Sequence, residues 1–257
     1  MDGVLPVFKS HYSLGRSILT LENNNSDPDE SDSIFNICEE LKLKELILAD
    51  HNMSGFLQAY QNSKDLNIKL IFGVRMTICN DMKQKDADSL KTNNKIIVFL
   101  KNEKGYKRLI KIFSQASKDG FYYEPRIDYK NLKEQWSDEE LSLVIPFYDS
   151  YLFKNTLYSN ICVPEFNFTK PTYFIEDNDL PFDEMVKEKV INQAETEGAE
   201  VQKTQSIFYK LKKDFKAYLT FRCINNRSTL ERPEINHMTS DEFCAESWKE
   251  KNDKKSI

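Results

Sequence analysis

Leu46-Ile47-Leu48-Ala49, followed at once by Asp50-His51, is the stretch that decides the fold. The apolar run is too short for a helix and ends in polar residues, as a buried parallel strand does at a functional edge. A helix is predicted over about residues 54–66, and Ile68-Lys69-Leu70-Ile71-Phe72 forms the next predicted strand. Because strand–helix–strand units with this spacing permit parallel pairing, the sequence predicts an α/β fold.

The same alternation extends in both directions from this unit. Val4–Lys9 favours a short strand, and an amphipathic helix is predicted over Ile34–Leu41, with Asp32 or Ser33 as its N-cap. Glu103–Lys118 has the apolar spacing of a longer helix. Further short apolar runs predict strands: Lys95–Leu100, Leu141–Pro146 and Thr172–Ile175. The pattern therefore predicts about six or seven strands in one sheet or barrel.

The pattern changes beyond Pro181, where Glu, Lys and Gln dominate. Apolar residues at helical spacing in this part predict a helical extension, including the stripe Ile207, Phe208, Leu211 and Phe215. We therefore expect two parts, a barrel over residues 1–182 and a helical extension over residues 183–257. An exposed stripe of this kind predicts a docking face for a partner chain.

Composition limits the classes of function. The 257 residues carry 36 Lys and Arg against 41 Asp and Glu, so the net charge of −5 gives no general attraction to DNA. No apolar run is long enough to span a membrane, and the first residues lack a secretory signal, which predicts the cytoplasm. Five cysteines without a Cys-x-x-Cys pair predict reduced packing residues. Glycine-rich nucleotide-binding motifs are absent.

Two polar segments at predicted strand ends are candidates for metal chemistry. Asp50-His51 offers a carboxylate and an imidazole, and Asp177-Asn178-Asp179 offers two carboxylates after the last predicted strand. In a barrel of parallel strands such ends share one face. The alternative is that the first pair forms hydrogen bonds within its turn and that Asp177 and Asp179 are solvated turn residues.

Several segments together resemble the polymerase-and-histidinol-phosphatase (PHP) domain that opens the alpha subunit of bacterial replicative DNA polymerase III. In order along the chain they are Leu46–Gly55, Asn67–Gly73, Lys101–Tyr106 with Leu109, Gly120–Asp128, Cys223-Ile224, Thr229-Leu230, Pro233 and Ser240–Phe243. The segment Gly-Phe-Tyr-Tyr-Glu-Pro-Arg-Ile-Asp at 120–128 is a specific signature of that domain. The resemblance covers nearly the whole chain and implies a distorted (β/α)7 barrel with a C-terminal extension.

The departures from the family pattern fall on its metal ligands. Val7 and Lys9 occupy the positions of a His-x-His pair, and Arg75 occupies that of a glutamate. His11 lies two residues beyond Lys9 and would share its strand face if the strand reached that far. The resemblance thus implies a degenerate site with five candidate ligands: His11, Asp50, His51, Asp177 and Asp179. We expect Lys9 and Arg75 to pair with Asp50, Asp177 or Asp179, and no cofactor, or Zn, Mn or Mg if metal binding persists.

The resemblance implies a PHP-domain component of a replicative family C DNA polymerase, structural in DNA replication. The chain after Phe243 leaves no room for a palm with its metal-binding carboxylates, so catalytic residues stay unassigned and polymerisation alone is not expected. Expected partners are a polymerase palm, fingers and thumb chain or other replisome subunits, with weak DNA binding and no membrane. The cell is a bacterium or a phage-infected host. A metal-dependent phosphoesterase or 3′–5′ exonuclease is the alternative function.

Overall fold

Strands and helices alternate along the chain in a computed structural model, which describes residues 3–22, 31–231 and 240–253. The strands are β1 (Leu5–Phe8), β2 (Glu45–Asp50), β3 (Lys69–Cys79), β4 (Asn94–Leu100), β5 (Arg126–Asp128), β6 (Leu141–Ile145), β7 (Thr172–Ile175) and β8 (Glu200–Ile207). The α-helices are α1 (Ile34–Glu40), α2 (Phe56–Asp65), α3 (Ala87–Leu90), α4 (Glu103–Lys118), α5 (Tyr129–Glu134), α6 (Tyr151–Leu157), α7 (Asp183–Glu197), α8 (Phe215–Asn226) and α9 (Ala245–Asp253). A short 3-10 helix, Lys212–Asp214, precedes α8.

The strand order is β2-β1-β8-β7-β6-β4-β3-β5, and β2 also pairs with β3. That extra pairing makes a closed ring of seven strands, with β5 outside it on β3. β1 is parallel to both β2 and β8, whereas β4 is antiparallel to both β3 and β6. β4 therefore runs opposite to both of its neighbours, which distorts the pattern of parallel strands. The predicted α/β fold, a distorted seven-stranded barrel, is confirmed.

The elements predicted from apolar spacing are present. Ser33 caps α1, and its Oγ accepts hydrogen bonds from the backbone N–H groups of Phe35 and Asn36. α4 buries Leu109, Ile112 and Ala116 on its apolar face. All five cysteines are buried and free, as expected for packing residues. Among the described residues, no helix has the length and apolar character needed to cross a bilayer.

The strand β8 corrects the prediction of an all-helical extension. Residues 200–207 pair with β1 in parallel, with Leu5 opposite Thr204 and Phe8 opposite Ile207. Three successive polar residues of this strand, Thr204, Gln205 and Ser206, are buried. Buried polar residues hide a strand from hydropathy patterns, since neither an apolar run nor an alternation is visible. The boundary between barrel and extension at residue 182 stays a prediction. Pro233, one of the residues that carry the family resemblance, lies outside the described residues.

The prediction of an exposed apolar stripe is wrong for two of its four residues. Ile207 and Phe208 are buried in the core. The ring of Phe208 stacks on that of Phe243, with 5.3 Å between centroids, and lies 5.6 Å from that of Tyr218. Ile207 is the last residue of β8 and Phe208 directly follows it, so neither residue lies in a helix. The side chain of Phe208, which was expected to be exposed, packs against aromatic rings.

Two compact units are present, and each has its own core. The first comprises the described residues within 1–72, 176–183 and 203–257, with buried residues such as Phe8, Leu48 and Phe72. The second comprises residues 73–175 and 184–202, with buried residues such as Ile112 and Phe147. Both β3 and β8 contribute residues to each unit, so the units do not correspond to consecutive halves of the chain.

Gly105 sets how closely α4 approaches the strand layer in the second unit. It lies in the first turn of α4, where its N–H donates to the side chain of the N-cap residue Asn102. A Cβ atom placed on Gly105 would collide with the backbone carbonyl of Glu140. Backbone cannot move aside as a flexible side chain can, so this position requires glycine.

We expect Gly105→Ala to lower the free energy of unfolding by about 1–3 kcal/mol, as overpacking does. This loss opposes the gain of about 1 kcal/mol that alanine gives in a helix. Ser114→Ala, at an exposed position of the same helix, is the control and should be neutral or slightly stabilising. Urea unfolding followed by circular dichroism measures both; a Gly105→Ala protein as stable as the control would contradict the close approach.

Candidate functional site

Asp50 is a fully buried carboxylate at the end of β2. The parallel pairing of Phe8 with Leu48 brings the loop that follows β1 beside it. The backbone N–H of Ser10 donates to Oδ1 at 2.8 Å, the Ser10 hydroxyl donates to Oδ2 at 2.6 Å, and the Ser13 hydroxyl donates to Oδ1 at 2.6 Å. Both carboxylate oxygens therefore already accept hydrogen bonds from one loop.

Lys9 directly precedes Ser10 in the chain and is itself buried. Its Nζ lies 4.5 Å from the centroid of the Phe208 ring, a cation–π contact. Burial raises the pKa of Asp50, whereas the hydrogen bonds from Ser10 and Ser13 and the charge of Lys9 act in the opposite direction. The charge of Lys9 thus acts on Asp50, and the recorded close contact of its ammonium group is with the ring of Phe208.

The two candidate histidines lie at the edge of the same loop. The backbone N–H of His51 donates to Ser13 Oγ at 3.0 Å, and its ring is partly exposed. His11 stacks on the ring of Tyr12, 4.3 Å between centroids. Its Nδ1 is buried and has no hydrogen-bond partner among the described residues. Because β1 ends at Phe8, His11 does not continue the strand, and the argument that it shares a strand face with Lys9 does not hold.

Asp177 and Asp179 are both exposed, whereas Asn178 between them is fully buried. The backbone N–H of Asn178 donates to Asp183 Oδ2 at 2.8 Å, which fixes the turn after β7. The residues that point inward are therefore Asn178 and Glu176, one position out of phase with the predicted ligands. The solvated-turn alternative describes Asp177 and Asp179.

Glu176 is the buried carboxylate that the sequence analysis missed. It accepts hydrogen bonds from both the backbone N–H and the hydroxyl of Ser206, each at 2.8 Å, and from the side chain of Asn178 at 2.9 Å. Ser10 binds Asp50 through the same two groups. A signal was available, since Glu176 directly follows the apolar run Thr172–Ile175 as Asp50 follows its own run.

Arg75, in the second unit, has a different partner from the expected one. Its guanidinium donates to the carbonyl oxygen of Tyr148 at 2.7 Å and to Asp149 Oδ2 at 3.2 Å. Lys154 approaches the other oxygen of Asp149 at 3.3 Å. The carboxylate that pairs with Arg75 is therefore Asp149, which the sequence analysis did not single out.

These contacts bear on whether the residues present suit a divalent metal centre. A cluster of metal ions needs carboxylate oxygens and imidazole nitrogens that converge on an open position. Within the described ranges, no three or more His, Cys, Asp or Glu side chains are grouped so as to hold a metal ion. Both oxygens of Asp50 accept protein hydrogen bonds, which is the geometry of a structural carboxylate. The five-residue ligand set stays a prediction.

Comparison with known sequences agrees with the resemblance described above. Residues 28–154 match the family defined as the PHP domain. This part of the chain is a PHP domain. The DNA polymerase III subunit alpha of Borreliella burgdorferi is 34% identical over 104 residues, which are 39% of this chain and 9% of that protein. The subunit of Aquifex aeolicus is 26% identical over 215 residues, which are 77% of this chain and 18% of that protein.

The chain thus aligns with less than a fifth of the length of either of these curated relatives. Among solved structures, a candidate metal-dependent phosphoesterase from Bifidobacterium adolescentis matches with a TM-score of 0.39 and 10% identity. That match covers 77% of this chain and 85% of the other.

The burial of Asp50 predicts that it stabilises the fold, unlike the exposed candidate ligands. We expect Asp50→Ala to lower the free energy of unfolding by about 3–5 kcal/mol, since it leaves the N–H and hydroxyl of Ser10 and the hydroxyl of Ser13 buried without their acceptor. Asp177→Ala should change it by less than about 0.5 kcal/mol, because the contact recorded for Asp177 uses its backbone oxygen. Chemical denaturation of the two variants compares them, and equal effects would contradict the assignment.

Proposed function

We propose that this chain is the PHP-domain component of a replicative family C DNA polymerase and that it is structural in DNA synthesis, with a degenerate metal site. The observation that carries the proposal is that Ser10 and Ser13 donate hydrogen bonds to the buried Asp50. Lys9, which directly precedes Ser10 in the chain, is a buried cation. The alpha-subunit relatives support the replicative context.

The positive charge of Lys9 bears on metal binding at Asp50. An ammonium group and a divalent ion repel each other by several kcal/mol at short range in a partly buried site, so Lys9 disfavours a metal ion beside Asp50. The hydroxyl and amide donors of Ser10 stabilise the same carboxylate without adding charge. In this role the serines do what a bridging metal would do, because they tie the loop after β1 to the end of β2.

The partner that we propose is a polymerase body with palm, fingers and thumb, since the curated relatives extend far beyond the aligned residues. Nucleotidyl transfer requires carboxylates that hold two metal ions. We propose that these carboxylates lie in that body, either in a separate chain or in a longer form of this one.

A metal-dependent phosphoesterase or 3′–5′ exonuclease is the second candidate, and one observation favours it. The buried Nδ1 of His11 has no hydrogen-bond partner among the described residues, which suits a nitrogen held ready for a ligand. In that case His11, Asp50, His51, Asp177 and Asp179 would hold Zn, Mn or Mg and would activate water for attack on a phosphoester.

Metal content separates the two candidates. After dialysis we expect less than one divalent ion per chain by elemental analysis, because Lys9 and the saturated Asp50 disfavour binding. Asp50→Asn, which keeps the shape of the side chain, should leave the low metal content unchanged. Stoichiometric zinc or manganese in the wild type, lost in Asp50→Asn together with phosphatase activity, would establish the enzyme instead.

Association with a polymerase body is a separate expectation. Co-expressed with the palm-and-thumb polypeptide from the same source, the chain should co-purify through size-exclusion chromatography at micromolar concentration. An unrelated α/β barrel protein of similar size and charge is the control. If the two polypeptides elute separately at that concentration, the proposed partner is wrong.

A further inference from the structure

A row of lysines follows the outer face of α4 in the second unit. Lys104, Lys107, Lys111 and Lys118 are all exposed, on the side of the helix opposite its buried residues. At about 100° per residue they lie within an arc of about 60°, and the 14-residue step from the first to the last spans about 21 Å. We call these four residues the lysine stripe.

The lysine stripe is largely unneutralised. Among the described residues, only Lys107 has an ion-pair partner within 4 Å, and that partner is Glu103, on the same exposed surface. An exposed pair of this kind contributes little. The neighbouring Arg108 pairs with Glu140 at 2.5 Å, and the charge of Lys104 also lowers the pKa of that carboxyl group. A chain with a net charge of −5 thus carries one local, linear positive surface on this helix.

Exposed aromatic rings follow the end of the stripe. Phe121 and Tyr123, three and five residues after Lys118, are 51% and 78% exposed. Tyr122 between them packs under the guanidinium of Arg126, 5.1 Å from ring centroid to carbon. Tyr123 has a φ of 62°, a left-handed conformation that is unfavourable for a bulky residue. The ring of Tyr123 packs against that of Tyr122, 4.7 Å between centroids, and still has most of its surface in solvent. Backbone strain of this kind is concentrated at binding sites.

We propose that the lysine stripe together with Phe121 and Tyr123 is a binding track for single-stranded nucleic acid. The ammonium groups would contact successive phosphates, and unpaired bases would stack on the exposed rings, which is the combination that proteins use for single strands. A duplex would leave the rings without a base face, and an acidic protein segment would use only the lysines. The proposal does not depend on the structural role argued above. Asp119 lies between the stripe and the rings, and we expect the affinity to be modest.

Fluorescence anisotropy of labelled oligothymidylate with the full 257-residue chain tests the track. Four phosphate contacts give a salt slope of about 2.8, hence a loss of affinity of about 50-fold between about 50 and about 200 mM salt. The triple variant K104Q/K111Q/K118Q should lose at least about tenfold at low salt, and its salt slope should fall to about 0.7. The matched control K42Q/K44Q/K64Q removes three exposed lysines elsewhere and should bind as the wild type does.

Variants of Tyr123 test the stacking of bases on the exposed rings. Tyr123→Ala should weaken binding at least about fivefold with the salt slope unchanged, and Tyr123→Phe should restore it. Circular dichroism should show the same unfolding transition for all variants, since every changed side chain is exposed. Four results would each overturn the proposal. They are equal binding by a duplex with no effect of Tyr123→Ala, displacement of the oligonucleotide by polyglutamate at equal charge, wild-type binding by the triple variant, and no binding at low salt.

Discussion

A carboxylate that is buried without water must find its hydrogen bonds inside the protein, and Asp50 imposes this requirement on the first compact unit. The loop after β1 meets it by presenting the N–H and hydroxyl of Ser10 and the hydroxyl of Ser13. The rest of the loop follows from that arrangement. Ser13 also accepts from the N–H of His51, and Asn52 donates to the carbonyl of Tyr12 at 2.8 Å. One buried carboxyl group thus connects the loop after β1 with the residues that follow β2.

The same chemistry recurs where β8 meets the segment after β7. Ser206 donates its N–H and its hydroxyl to Glu176, as Ser10 does to Asp50. Ser206 lies opposite Val7 of β1, and Ser10 lies in the loop that follows β1. Both serine–carboxylate contacts are therefore close to β1 in the fold. The two contacts cross-link loops at strand ends with neutral donors, whereas a divalent metal would do so with its charge. Neutral donors therefore hold both buried carboxylates of this unit in place.

The sequence predicted the parts of the fold in which apolar spacing is strong, and the reasons for its failures are specific. The strand β2 and the helix α4 follow directly from their patterns. β8 was missed because Thr204, Gln205 and Ser206 are buried polar residues whose acceptors and neighbours are distant in sequence. In the candidate site, Asp50 was identified, but Glu176 was not, since a one-residue change of phase exchanges the buried and exposed side chains of a turn. The pairing of Arg75 with Asp149 spans 74 residues and leaves no local signal.

The most direct test of the account is the thermal unfolding midpoint of the full chain in an excess of EDTA, Mn²⁺ or Zn²⁺. A ligand that binds the native state raises its stability in proportion to RT ln(1 + [L]/Kd), so even a site of moderate affinity shifts the midpoint measurably. The account predicts the same midpoint in all three conditions, because hydrogen bonds already satisfy Asp50. A midpoint raised by several degrees in Mn²⁺ or Zn²⁺, and lowered again by EDTA, would contradict it.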